Sequence, residues 1–169
     1  MKETTKKTTS LSAAGAGTIT LGGELTVNRL GFGAMRLTGD GIWGPPRDRA
    51  AAMAVLRRAV ELGVNFIDTA DSYGPNVSEE LIAEALAPYP SDLVIATKGG
   101  WNRPGPNQWT HDASPAHLRE ALEGSLKRLR LDRIDVYQLH VPDPVVPRDA
   151  SIETLANMRS EGTNRVGPE

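Results

Sequence analysis

No cysteine occurs in the 169-residue chain. Disulfides and thiolate zinc sites are therefore excluded, and the composition fits a reducing compartment. Aromatic residues are scarce at 5%, which leaves few large side chains to fill a core. Neither sign of charge dominates: 19 Lys and Arg stand against 21 Asp and Glu. The net charge of −2 gives no electrostatic basis for binding nucleic acid or an anionic membrane. No apolar run approaches the ~18 residues of a membrane span. Residues 1–17 are polar, with early lysines but without the apolar segment of a secretory signal. They read as a flexible tail, and the expected location is the cytoplasm.

From residue 18 onward the chain is patterned. TITLGGELTV (18–27) has two alternating runs around Gly22-Gly23, the mark of a β-hairpin. RLGFGAM (29–35) reads as a strand with a Gly-rich end, followed by the irregular loop GDGIWGPP. Helices are predicted over 48–62, 78–86 and 114–129, and a fourth from 151. Ser114 and Pro115 suit the cap and first turn of the third. Apolar strands are predicted at 64–68, 92–98 and 133–140, and the segment 99–113 is predicted to be a long loop. Strand then helix, four times over, indicates βαβ units around a parallel sheet. Both a doubly wound sheet and a (β/α)8 barrel satisfy that order.

Three of these strands finish on an ionisable residue: Asp68 after NFI, Lys98 after VIAT and His140 after VYQL. Tyr73 follows Asp68 by five residues. Each has an ordinary reading alone: a turn cap, a surface lysine, a hydrogen-bonded rim histidine, a tyrosine packing a loop. Parallel α/β folds, however, collect the carboxyl ends of their strands on one rim, where sites assemble. Together the four make chemical sense. A lysine cation is expected to lower the phenol pKa, an aspartate to hold the lysine, and a histidine to orient or polarise a carbonyl. A metal hydrolase using His140 with Asp68 or His111 is disfavoured, because no HxH or HExxH occurs. No metal is expected. Gly31-Phe32-Gly33 is not a Rossmann fingerprint, since Arg36 stands where the third glycine belongs.

The stretches LGFGAMRL (30–37), GVNFIDTADSYG (63–74), SEELIAEAL (78–86), LVIATKGG (93–100) and RIDVYQLH (133–140) resemble the aldo/keto reductases. That resemblance implies a (β/α)8 barrel closed at its bottom by the 18–27 hairpin. It places the family's catalytic tetrad on Asp68, Tyr73, Lys98 and His140, with Tyr73 the proton donor. It implies NADPH as cofactor, contacted by Gly33, Ala34, Met35 and Asp68, and an aldehyde or ketone as the small-molecule substrate. A whole barrel needs about 250 residues. Residues 18–169 are accordingly expected to be the N-terminal half of one, truncated to about four βα units, with Arg165-Val166-Gly167 resembling the approach to the family's fifth strand and Pro168-Glu169 breaking from it. Such a half is expected to lack most of the cofactor site, to show doubtful activity alone, and to self-associate through open sheet edges. The alternative is a non-catalytic half-barrel that serves as an assembly or interaction module. Trp101 and Trp109 are expected either to shape the substrate pocket or to pack their loop.

Overall fold

A computed structural model describes residues 11–166 of the chain. β1 (Thr18–Leu21) and β2 (Leu25–Asn28) form an antiparallel hairpin. Leu21 pairs with Leu25, so the turn spans Gly22, Gly23 and Glu24 rather than two glycines. β3 (Phe32–Gly33), β4 (Phe66–Asp68), β5 (Val94–Gly99), β8 (Ile134–Leu139) and β9 (Asn164–Val166) form one parallel sheet in that spatial order. Between β5 and β8 lies a second hairpin, β6 (Trp101–Gly105) and β7 (Gln108–His111). The helices are α1 (Arg49–Glu61), α2 (Val77–Leu86), α3 (Pro115–Leu129) and α4 (Arg148–Ser160). Spatial order follows chain order with no reversal. That excludes a doubly wound sheet, which needs a switch point, and leaves the barrel type.

Local chemistry explains most boundaries. Asp48 accepts the Ala51 amide at 2.9 Å to open α1, and Ser114 caps α3 with Pro115 in its first turn. Two expectations are corrected. The segment 99–113 is not a loop: its Trp101 and Asn102 pair with His111 and Thr110. Residues 11–17 are not a free tail, because Ala13–Ala16 form a 3-10 turn whose Ala13 is buried and donates to Leu62 O at 2.7 Å. Residues 1–10, the rest of the expected tail, lie outside the described residues. At the expected approach to a fifth strand, β9 runs parallel to β8; Pro168 and Glu169, where a break is expected, lie outside the described residues.

Period-two alternation sorts the sheet into two faces. Ile67 and Ile95 pack outward into the helix layer with Leu56, Leu81, Leu118 and Leu122. Val94, Ala96 and Val136 face inward and are covered by Leu25 and Val27 of the first hairpin. The first hairpin therefore plugs the lower end of the inward face. Among the described residues no helix is long and apolar enough to cross a membrane.

One charged group sits inside the helix layer. Glu79 of α2 is 0% exposed; it accepts the Thr97 hydroxyl of β5 at 2.6 Å and the Arg128 Nε of α3 at 2.6 Å. Sequence pattern suggests only a first-turn acid favoured by the helix dipole. Removing one partner of a buried pair strands the other. Arg128→Ala is expected to lower stability by about 3–5 kcal/mol, measured by urea denaturation. A loss under ~1 kcal/mol, the range of exposed pairs, would show that the pair is solvated.

Candidate active site

Alternation also builds the upper rim. Asp68 pairs with Ala96 in the β4–β5 register, and Lys98 lies two residues further along β5. Both therefore project from the inward face. The Lys98 ammonium lies 2.7 Å from Asp68 Oδ1 and 2.6 Å from Oδ2, and donates to Thr69 O at 2.9 Å. His140 follows β8, its amide anchored to Gly99 O at 2.9 Å. Gly99 has no room for a side chain, since a β-carbon there would lie 2.2 Å from the Tyr137 hydroxyl.

Tyr73 comes from the turn between β4 and α2. Gly74 follows it at φ 108°, and a β-carbon there would lie 2.4 Å from that of Val77. Only glycine turns the chain into α2 at this point. Tyr73 is 6% exposed. Its ring meets His140 edge to face at 5.6 Å between centroids, and Lys98 Nζ lies 5.4 Å from its centre. The structure thus brings together Asp68, Tyr73, Lys98 and His140, from positions spread over 73 residues of sequence.

The protonation states differ from the sequence-based expectation. Burial first, then the charges of Asp68 and Asp71, push the Tyr73 phenol up to about 12. Lys98, paired with both Asp68 oxygens and the Thr69 carbonyl, does not outweigh the burial of the phenol. Burial and the neighbouring Lys98 cation push His140 down to about 4, so its imidazole is neutral near pH 7. The site therefore holds a phenol proton, a neutral imidazole and a compensated ion pair.

Of the rim residues beside it, Gly33 is exposed, and a β-carbon added there meets nothing within 4 Å. Met35 is half-buried. Ala34 is fully buried, and its amide is spent on Asp68 O at 2.8 Å. A flat ligand laid on this rim would meet the Gly33 backbone and Met35, with Ala34 behind them. Among the described residues no group of three or more metal-ligating side chains is found.

Sequence reasoning missed two groups. Asp71 is 8% exposed, with Oδ1 free of any hydrogen bond. Arg103 reaches from β6 to donate to Ser72 O at 2.8 Å. The first was readable only as part of DTADSYG; the second lay in the stretch expected to be a loop.

A parallel barrel-type sheet with a compact polar site on the carboxyl rim of its strands defines the class. Comparison with known proteins then gives the family. The sequence pattern of the aldo/keto reductase family matches residues 29–166, and the chain belongs to that family of oxidoreductases. It is 51% identical over 161 residues to an uncharacterized oxidoreductase of Schizosaccharomyces pombe, covering 95% of this chain and 52% of that protein. It is 49% identical over 151 residues to pyridoxine 4-dehydrogenase of Escherichia coli, covering 86% and 52%. Among solved structures, it resembles the holo form of an aldo-keto reductase from Bacillus halodurans, with a TM-score of 0.76 and 36% identity. That likeness covers 88% of this chain and 48% of the other. The chain spans about half the length of the curated relatives it matches.

Asp71 carries a consequence for stability. Burial, with the nearby Glu79 charge second, pushes its carboxyl up to about 7. A raised folded-state pKa means that the folded chain holds the proton more tightly than the unfolded one. The contribution is fully present below the unfolded value near 3.9 and is lost as pH rises through about 7. Asp71→Asn is expected to be more stable than the parent at pH 8, with the advantage vanishing by pH 4. Urea midpoints across that range check this, and a constant difference would sink it.

Proposed function

We propose that the chain carries the proton-delivery side of an aldo/keto reductase site, for NADPH-dependent reduction of an aldehyde or ketone. The observation that carries this reading is the buried Tyr73 phenol, set against neutral His140 and a Lys98–Asp68 ion pair on one rim. When bound, the nicotinamide cofactor supplies a hydride. Gly33 and Met35 are the rim residues that would touch it, beside the Asp68 carboxylate.

In this reading Tyr73 donates its proton to the carbonyl oxygen as negative charge develops there. A phenol with so high a pKa holds its proton until an alkoxide forms, and then gives it up to a stronger base. Neutral His140 donates a hydrogen bond to the same oxygen and orients it. Lys98 keeps a positive charge near the phenolate left behind, and Asp68 holds that ammonium in place. The Trp101 edge, 6.4 Å from the His140 ring, provides apolar wall for the organic part of the substrate.

The name of the Escherichia coli relative suggests a substrate class. Dehydrogenation of pyridoxine at its 4-position yields an aromatic aldehyde, and a Trp-walled site suits a flat ring. We extend that class to this chain. Self-association through the open edges of β3 and β9 belongs to the same reading, and sedimentation velocity reads it directly.

The test joins this chain to the C-terminal half of the Escherichia coli relative and follows NADPH oxidation with pyridoxal. The joined protein is expected to reduce the aldehyde. Tyr73→Phe is expected to lower kcat by about 10²–10⁴-fold, with NADPH affinity unchanged. A loss below about tenfold would remove Tyr73 from the proton-donor role. Lys98→Met is expected to displace the pH–rate profile as well as lower kcat, and an unmoved profile would leave Lys98 a structural partner of Asp68 only.

A further inference from the structure

Arg103 has no carboxylate partner among the described residues, although it is charged and half-buried. Its guanidinium is spent on three backbone carbonyls from three segments. Nε donates to Gln108 O of its own hairpin at 3.0 Å, Nη1 to Ser72 O at 2.8 Å, and Nη2 to Gly41 O at 3.1 Å. Its plane lies on Trp109, with Cζ 3.6 Å from the ring centre, and Trp43 lies 5.6 Å away. A cation used this way costs desolvation and returns no ion pair, so solubility does not explain it. A planar fork with five donors and a stacking face is what the three carbonyls and the indole require.

The gripped carbonyls are informative. Ser72 is the residue before Tyr73, and its own hydroxyl lies 3.4 Å from His140 Nδ1. Gly41 belongs to the segment that brackets the other side of Tyr73, where Gly74 N donates to Ile42 O at 3.3 Å and Gly44 N to Gly74 O at 2.6 Å. Arg103 itself lies two residues from Trp101, whose edge faces His140. Three segments therefore close a frame around Tyr73, and the Arg103 guanidinium donates to a carbonyl in each.

We propose that Arg103 is a positioning residue that locks the β6–β7 hairpin, the 39–44 segment and the Ser72–Tyr73 backbone into one body, holding the pocket wall at a fixed distance from the proton donor. The proposal rests on the carbonyl-reduction reading for its consequence, but the lock itself is independent of it. Lysine cannot replace the fork, since a single ammonium has no flat face for Trp109 and cannot span three carbonyls in one plane.

Hydrogen exchange on the 169-residue chain, with Arg103→Lys and Arg103→Ala, tests the lock. Exchange is expected to quicken together, by about tenfold or more, in the amides of 42–44, 72–74 and 101–111 while α1 and α4 are unchanged. Faster exchange in the hairpin alone, or a uniform rise throughout the chain, overturns the proposal. In the joined protein, Arg103→Lys is expected to lower kcat with pyridoxal by about 10²-fold, as a displacement near 1 Å does, with NADPH affinity unchanged. Coupled exchange with unchanged kcat also overturns the positioning role. An inactive parent protein would count against carbonyl reduction instead, and the exchange result would still decide the lock.

Discussion

A single buried carboxylate, that of Glu79, ties the helix layer to the sheet beneath the rim. It reaches Thr97 on β5 and Arg128 on α3 from the first turn of α2. A charge with no solvent is tolerated only when its hydrogen bonds are complete, and here both oxygens are used. That fixes the start of α2. The turn from Thr69 to Asn76, which carries Tyr73, is thereby held at both ends: by β4 and by a helix whose first turn cannot slide. The same charge reaches Asp71 and helps to hold that carboxyl protonated. A buried ion pair therefore lies just behind the site.

The site is a set of locked protonation states. Lys98 and Asp68 compensate each other, so neither charge is left to act on the phenol unopposed. Tyr73 keeps its proton, and His140 stays neutral because burial and the Lys98 cation both penalise the imidazolium. A lysine lowering the tyrosine pKa was the natural expectation from composition of the site. The geometry shows why it fails: burial of the ring, with the Asp68 and Asp71 charges beside it, outweighs a cation 5.4 Å away that is itself paired with Asp68.

The second hairpin alters the role of the residues after Lys98. As a loop, 99–113 would offer two tryptophans of independent position. As paired strands it is a hairpin, with the Trp101 and His111 rings tilted by 35° at 4.5 Å between centroids and Arg103 over the Trp109 ring. Arg103 joins it to the Tyr73 turn through the Ser72 carbonyl.

Short-range chemistry determined much of this protein by itself. The alternation of apolar strands and amphipathic helices, the caps at Asp48 and Ser114, and the strand-end positions of Asp68, Lys98 and His140 follow from local rules of pattern and turn geometry. So does Tyr73, through a motif dense enough to be read as a family resemblance. Tertiary structure decided what depends on long-range neighbours. Sequential strand order excluded the doubly wound alternative, and packing of Ala13 against Leu62 turned part of an expected tail into structure. The burial of Glu79, the unpartnered Oδ1 of Asp71 and the three-carbonyl grip of Arg103 have no local signal. A carboxylate or guanidinium carries the same letter whether solvated or enclosed, and only the groups that surround it in space settle its charge and its use.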